Sequence, residues 1–255
     1  MTVTIDGMQI NYQSTGAGEA LLFLHGWGSS LEVFNRMIRP LAAYFRCIAL
    51  DLPGFGKSDM LPRPFTLQDY CDVVKKFIDA LGLRDPVMIG HSNGGRITLQ
   101  MCASGMVHPK KIVLFGSAGI RSKRTCKQKL RLASFKTIKR VLTLPVIKRY
   151  TGDLLAAARN HYGSADYNAA PPVLRQTLVN LVNVDLRDRL HQITASTLLI
   201  WGENDTETPL AHAKIIEQNI PDCGLCVIPN GSHFCFVEYP GQVDAILNSF
   251  LGVTD

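Results

Sequence analysis

Short apolar runs alternate with longer amphipathic stretches along most of the chain. Each run is bounded by turn residues, and the runs predict strands at 9–13, 20–24, 46–50, 87–89 and 112–115. The clearest helix, 66–83, begins with Thr66 and Asp69 at capping-box spacing and continues with apolar residues at helical spacing. Such alternation is typical of parallel strands joined by crossover helices, so the pattern predicts an α/β fold.

The alternation stops near residue 119 and returns near residue 191. Between these points no strand-like run occurs, and the helical stretches are separated by glycines and prolines. Predicted strands at 197–201 and 225–228 and helices at 209–220 and 243–251 follow. The pattern therefore predicts a core domain, residues 1–118 and 191–255, that is interrupted by a helical insertion at 119–190.

The positive charge of the chain is concentrated in the insertion. The net charge is +6, but residues 121–149 contain eleven basic residues and no acidic one. Such a segment could attract an anionic surface or an acidic substrate, whereas the simpler interpretation, a solvated helix, is favoured. We expect no nucleic-acid partner and at most weak contact of this segment with an anionic surface.

Composition is that of a folded globular protein, with 46% hydrophobic and 19% charged residues. The N-terminus lacks a basic start followed by an apolar core, and no stretch approaches the ~20 apolar residues that span a bilayer, so a cytoplasmic location is expected. Cys223 and Cys226 form a C-x-x-C in a strand-like run with no second pair of ligands. We therefore predict reduced thiols, no metal and no cofactor.

The predicted strand at 87–89 runs into Gly-His-Ser-Asn-Gly-Gly, residues 90–95, and then into a helical pattern. A serine between glycines can be ordinary turn material. Strand, G-x-S-x-G and helix in this order is also the context of a nucleophile elbow, a strained turn that exposes the serine hydroxyl. Ser92 is therefore a candidate nucleophile, provided that a base and an acid lie elsewhere in the chain.

Asp205 and His233 are the candidate acid and base. A serine hydroxyl is a poor nucleophile at neutral pH, so a histidine must take its proton and an acid must orient that histidine. Asp205 follows the predicted strand at 197–201, and His233 follows the strand at 225–228. The carboxyl ends of parallel strands share one edge of a sheet, so both side chains are expected near Ser92.

Other residues could compete for these roles. Glu203 is the nearest rival to Asp205, and Asp205 could also be a turn residue or a helix cap. Thr208, directly before a proline, is the better candidate for the cap. His25 and His91 flank glycine turns and are expected to stabilise loops.

Two backbone amides are candidates for an oxyanion hole. One belongs to the residue after the nucleophile, Asn93, and the other to Trp27 in the H-G-W-G loop that follows the strand at 20–24. The Trp27 side chain could form a wall of the pocket or pack in the core, and the sequence leaves both interpretations open.

Taken together, H-G-W-G, D-L-P-G-F-G-K-S-D, G-H-S-N-G-G, G-E-N-D-x-x-x-P and G-S-H-F resemble the α/β-hydrolase superfamily. The resemblance covers nearly the whole chain outside the insertion. It implies a mostly parallel eight-stranded sheet with helices on both faces and a helical cap, or lid, at 119–190. It assigns the nucleophile, acid and base to Ser92, Asp205 and His233, and the oxyanion amides to Trp27 and Asn93. Methionine or leucine is frequent in the family where this chain has Asn93, so the pocket floor is expected to be more polar.

The resemblance implies a serine hydrolase that cleaves a small to medium carboxylic ester through an acyl-enzyme on Ser92. Two alternatives stay open: a hydrolase that breaks a carbon–carbon bond in a diketone-type acid, and a low-turnover ligand-binding protein on the same fold. Dehalogenase and epoxide hydrolase activities are disfavoured, because relatives with those activities carry aspartate where this chain has Ser92. The acyl and alcohol groups and the oligomeric state depend on cap geometry and are not predicted.

Overall fold

The computed structural model describes residues 1–121 and 165–253, together with Ser134 and Thr137. Its strands are β1 Thr2–Ile5, β2 Met8–Thr15, β3 Ala20–Leu24, β4 Arg46–Leu50, β5 Val87–His91, β6 Lys111–Phe115, β7 Ser196–Gly202 and β8 Cys223–Ile228. In this part of the chain they form one eight-stranded sheet in the order β1-β2-β4-β3-β5-β6-β7-β8. β1 pairs antiparallel with β2 and β2 with β4, and the remaining neighbours are parallel. The predicted mostly parallel sheet is confirmed.

Helices follow most of the strands, as the crossover pattern requires. The described helices are α1 Asn35–Leu41, α2 Leu67–Ala80, α3 Asn93–Ala103, α4 Ala165–Ala169, α5 Pro172–Val182, α6 Leu210–Asn219, α7 Cys235–Glu238 and α8 Pro240–Leu251, with 3₁₀ turns at Leu31–Phe34 and Arg187–Gln192. At the start of α2, Thr66 and Asp69 form the predicted capping box.

The helices lie on both faces of the sheet because the central strands are apolar on both faces. In β3, Leu22 and Leu24 belong to one core cluster, which includes apolar residues of α2, α3 and α6. Leu21 and Phe23 belong to a second cluster, which includes apolar residues of α1 and α8. Successive side chains of one strand thus point to opposite faces of the sheet and contribute to both cores.

Some elements differ from the sequence prediction. β1 is not among the predicted strands, since it is a short edge strand in which only Ile5 is buried and its apolar pattern is weak. The helix predicted to follow residues 90–95 begins earlier, at Asn93, and includes the glycines at 94 and 95. Glycine is needed at both positions, because a Cβ on Gly94 would overlap the Leu24 carbonyl and a Cβ on Gly95 would overlap the Ser117 side chain.

The described part of the insertion is helical and packs on the core domain. In α5 the Thr177 hydroxyl accepts a hydrogen bond from the Phe65 amide at 2.9 Å, and Leu174 and Leu181 are buried in the first core cluster. Almost all of the basic segment lies outside the described residues, so the domain boundaries at 119 and 190 stay predictions. Across the described ranges, no helix combines the length and apolarity that crossing a membrane requires.

Candidate active site

Ser92 occupies a strained turn between β5 and α3. Its φ of 51° and ψ of −111° lie outside the helical and extended regions, and such a conformation costs a non-glycine residue about 1–3 kcal/mol. Three backbone hydrogen bonds hold the turn: the Ser92 amide donates to Phe115 at 3.0 Å, and the Ser92 carbonyl accepts from Arg96 at 3.1 Å and from Ala118 at 2.9 Å. The surrounding backbone therefore imposes this conformation.

Glycines around the turn allow backbones to approach one another. A Cβ on Gly90 would lie 2.7 Å from the Gly95 Cα, and a Cβ on Gly94 would overlap the Leu24 carbonyl at the end of β3. A Cβ on Gly26, in the H-G-W-G loop, would lie 3.1 Å from the Ser92 Cβ. The loop that carries Trp27 is therefore directly beside the candidate nucleophile.

Asp205 and His233 are hydrogen-bonded at 2.8 Å between Oδ2 and Nδ1. The side chain of Asp205 has no exposed surface, and that of His233 is 12% exposed. Burial favours the neutral acid, but hydrogen bonds from His233 and from the Thr208 amide and hydroxyl outweigh it, and the pKa of Asp205 is lowered. An ionised carboxylate accepts a hydrogen bond from Nδ1–H, which leaves Nε2 of a neutral imidazole as the acceptor.

The pair is packed against the strand next to the nucleophile. A Cβ on Gly116, directly after β6, would lie 2.9 Å from Asp205 Oδ2 and 3.0 Å from His233 Nδ1. The ring of His91, the residue before Ser92, lies 4.7 Å from the His233 ring, and its Nε2 is 3.1 Å from the His233 carbonyl oxygen. The fold thus brings the ends of β5, β7 and β8, with the three predicted residues, to one place.

Two buried histidines hold the loops of the site in their neutral forms. His25 donates from Nδ1 to Gly26 at 2.7 Å and accepts at Nε2 from the Leu52 amide at 2.9 Å. Burial lowers the pKa of His25 to about 4 and that of His91 to about 3, and electrostatic interaction with the neighbouring His233 adds to the effect on His91. Both therefore stabilise loops, as expected from their positions beside glycine turns.

Thr208 does not cap the following helix, and that prediction was wrong. The cap of α6 is Pro209, without a side-chain hydrogen bond. The Thr208 hydroxyl instead lies 2.9 Å from both the Gly116 carbonyl and Asp205 Oδ2. Asp205 Oδ1 accepts the amides of Glu207 and Thr208 at 2.9 Å each, so Asp205 is a turn aspartate and the partner of His233 at once.

The two predicted oxyanion amides have different surroundings. Asn93 is the first residue of α3, so its amide has no acceptor within the helix. Trp27 lies in the loop beside Ser92, and its ring packs edge to face on Phe55 with centroids 4.9 Å apart. Trp27 is half-buried. Its side chain packs against the first core cluster and keeps part of its surface accessible.

Arg96 is a buried residue of the site that the sequence analysis did not single out. Its Nη1 donates to Asn93 Oδ1 at 3.1 Å, and the two residues are 9% and 3% exposed. A basic residue one turn after G-x-S-x-G is visible in the sequence, but its burial is not.

The described residues hold no cluster of three or more histidines, cysteines or acids that could bind a metal ion. Cys223 and Cys226 lie on β8, and burial raises the pKa of both thiols, that of Cys223 to about 12. The absence of a cofactor stays a prediction.

The chain matches the model of the alpha/beta hydrolase fold family over residues 19–240. It is 30% identical to a pimeloyl-[acyl-carrier protein] methyl ester esterase of Nitrosospira multiformis, over 93% of this chain and 96% of that protein. It is 27% identical to a 2-hydroxy-6-oxo-6-phenylhexa-2,4-dienoate hydrolase of Burkholderia cepacia, over 97% of this chain and 92% of that protein.

Among solved structures, it resembles Est816, described as an N-acyl homoserine lactone degrading enzyme, with a TM-score of 0.77 and 25% identity over 98% of this chain and 100% of that one. Family model, sequence relatives and structure agree with the motifs around Ser92, and the chain therefore belongs to the α/β-hydrolase fold family.

Proposed function

We propose that this protein is a serine hydrolase that cleaves a small to medium carboxylic ester through an acyl-enzyme on Ser92. The observation that carries the proposal is the buried Asp205–His233 hydrogen bond of 2.8 Å beside a serine held at a positive φ. A backbone this strained is retained where surrounding contacts impose it, and an exposed nucleophile requires it.

The reaction starts when Ser92 Oγ attacks the ester carbonyl carbon and His233 Nε2 takes the hydroxyl proton. The amides of Trp27 and Asn93 stabilise the negative oxygen of the tetrahedral intermediate, a contribution of about 3 kcal/mol for each donor of this kind. The intermediate collapses, His233 gives its proton to the leaving alcohol, and the acyl group stays on Ser92.

A water molecule then completes the cycle. His233 takes a proton from the water, the resulting hydroxide attacks the acyl carbon, and the ester bond to Ser92 breaks. The carboxylic acid leaves and Ser92 Oγ regains its proton from His233. Asp205 stays ionised throughout and holds the imidazole with Nδ1 protonated.

The relatives support this class of chemistry and one alternative. The Nitrosospira multiformis relative is named as a methyl ester esterase, and the Burkholderia cepacia relative as a dienoate hydrolase. The latter favours cleavage of a carbon–carbon bond in a diketone-type acid as the second candidate. In either case, we propose that residues 119–190 form a cap that controls access to Ser92.

A fluorophosphonate probe tests the nucleophile. We expect it to label the native protein and not Ser92→Ala, since the probe phosphonylates an activated serine. Labelling of both proteins would contradict the assignment of Ser92, and labelling of neither would favour a ligand-binding protein.

A substrate panel tests the reaction. Esters with acyl chains of increasing length should be hydrolysed by the native protein, and His233→Ala should abolish that turnover. Turnover restricted to diketone acids would favour the carbon–carbon hydrolase.

A further inference from the structure

Among the described residues, the buried cation Arg96 has no anionic partner. Its guanidinium donates from Nη1 to the neutral amide oxygen of Asn93 at 3.1 Å, and the ion pairs of the described residues do not include it. Burial lowers the pKa of Arg96 to about 10, and within the described ranges no carboxylate offsets that effect. An uncompensated buried charge destabilises a fold, so a residue of this kind calls for an explanation outside stability.

The position of Arg96 in α3 makes its buried positive charge still less favourable. Arg96 lies in the first turn of the helix, where the aligned peptide dipoles favour negative charge and disfavour a cation. An anion bound at this end would meet both the guanidinium and the favourable end of the helix.

Two side-chain donors at this place lack acceptors. Arg96 Nε and Asn93 Nδ2 are both buried without a hydrogen-bond partner in the described structure. The two residues are three positions apart, so they share one face of the helix, and that face begins directly after Ser92. The first turn of α3, which directly follows Ser92, therefore contains two unused donors and one positive charge.

We propose that Asn93 and Arg96 form an anion subsite that binds a carboxylate carried by the acyl part of the substrate. This inference rests on the proposed ester hydrolysis and names its substrate class: esters whose acyl chain ends in a carboxylate. A carboxylate carries one negative charge for the one guanidinium and accepts two hydrogen bonds, which suits the two unused donors. The subsite lies on the acyl side because Asn93 directly follows the nucleophile that carries the acyl group.

Paired substrates test the subsite. Monomethyl esters of diacids from malonate to suberate are compared with methyl esters of monoacids of the same chain length. For at least one length, the native protein should have a kcat/KM at least about tenfold higher for the charged ester, the effect of a hydrogen bond to a charged group. Arg96→Met should remove that preference, and Arg96→Lys should retain part of it.

Arg36→Met is the matched control. Arg36 is a surface arginine paired with Asp244, with 52% of its side chain exposed, and its exchange should leave the preference between the two esters as in the native protein. Arg96→Met should also fold with an equal or higher melting temperature, since it removes an unpaired buried charge. A lower melting temperature with unchanged preference would show a structural role and overturn the proposal.

A binding measurement separates this proposal from the proposed function. Adipate and glutarate are titrated calorimetrically into Ser92→Ala, which cannot turn over, and into Ser92→Ala combined with Arg96→Met. Binding that weakens at least about tenfold in the double variant supports the subsite, even if no ester is hydrolysed. Ester hydrolysis without preference for the charged member, or equal diacid binding by both proteins, would overturn the subsite and leave the esterase proposal standing.

Discussion

The turn that carries Ser92 and the two loops that carry Asp205 and His233 are held in place by different forces. Around Ser92, glycines let backbone meet backbone, and a Cβ on Gly94 would overlap the Leu24 carbonyl. Around Asp205, hydrogen bonds prevail, with His233, Thr208 and the amide of Glu207 all directed at one carboxylate.

This difference matches what each half of the site has to do. The nucleophile needs a fixed and strained backbone, which close packing provides because it allows no alternative conformation. The acid and base need a defined protonation state, which hydrogen bonds to an ionised carboxylate provide. Substitutions of the packed glycines around Ser92 should therefore mainly change stability, and those of the hydrogen-bonding groups around Asp205 should mainly change turnover.

The largest effect is expected for Asp205→Asn. The amide cannot hold His233 with Nδ1 protonated as the carboxylate does, so kcat should fall by about 10⁴-fold. Hydrolysis kinetics with an ester substrate measure it, and circular dichroism should show an unchanged fold.

Glu203→Gln is the control for this substitution, because Glu203 is the nearest rival acid and its carboxylate accepts only the exposed Asn230 amide among the bonds of the described residues. It should keep native turnover. If Glu203→Gln lost most of its turnover while Asp205→Asn stayed active, Glu203 and not Asp205 would be the acid that orients His233.

Gly94→Ala tests the close packing on the Ser92 side. The added Cβ would meet the backbone of β3, which cannot move without disturbing the sheet, so the free energy of unfolding should fall by about 3 kcal/mol. Urea denaturation measures this loss.

Gly224→Ala, in β8, is matched to it, because a Cβ there would have no atom of the described residues within 4 Å. This control should change the free energy of unfolding by less than about 0.5 kcal/mol. If both variants lost the same free energy of unfolding, close packing around the Ser92 turn would not be the cause of the loss in Gly94→Ala.

Acid should weaken the fold through the two buried histidines. Their pKa values fall from 6.5 to about 4 for His25 and about 3 for His91, so between pH 6.5 and 4 the unfolded chain binds protons that the native protein does not. The free energy of unfolding should therefore fall with falling pH, by about 1.4 kcal/mol per pH unit for each histidine.

Denaturation curves between pH 7 and pH 4.5 test this dependence. His91→Gln should reduce its slope, whereas His108→Gln, at an exposed position, should not. If the free energy of unfolding of His91→Gln depended on pH as steeply as that of the native protein, His91 would not contribute to the acid sensitivity.

Thr208→Val should have the smallest effect. It removes the hydroxyl between Gly116 and Asp205 but leaves both backbone amides on Oδ1, so kcat should fall by about tenfold, the effect of one hydrogen bond to a charged group, with little change in KM. Thr208→Ser should restore most of the rate. A rise in KM without a change in kcat would show that Thr208 does not position the carboxylate.

Much of this architecture follows from local patterns. The strands at 20–24 and 46–50 begin and end as predicted, since short apolar runs between turn residues have few other ways to be buried. The candidate residues Ser92, Asp205 and His233 were found because each follows a strand, and parallel strands end at a common edge. The capping box of Thr66 needs only residues three apart, and it formed as expected.

The roles of other residues could not be predicted because their partners are distant in the sequence. Thr208 is suited to cap a helix, but its hydroxyl lies beside Gly116, 92 residues away, and beside Asp205. Gly116 itself gave no signal, since only the fold brings the Asp205–His233 pair within 3 Å of where its Cβ would be.

The sequence by itself determined most of the order of strands and helices, the turn at Ser92 and the residue types available for catalysis, because these depend on local periodicity and on chemistry. Only the tertiary structure decided which of those groups are buried and what they contact. The sequence and the tertiary structure differ most for Arg96, because arginine is a residue type that usually lies on the surface. Burial at the start of α3, with no acidic partner in the part of the chain that the structure describes, is the basis on which we propose it for substrate binding.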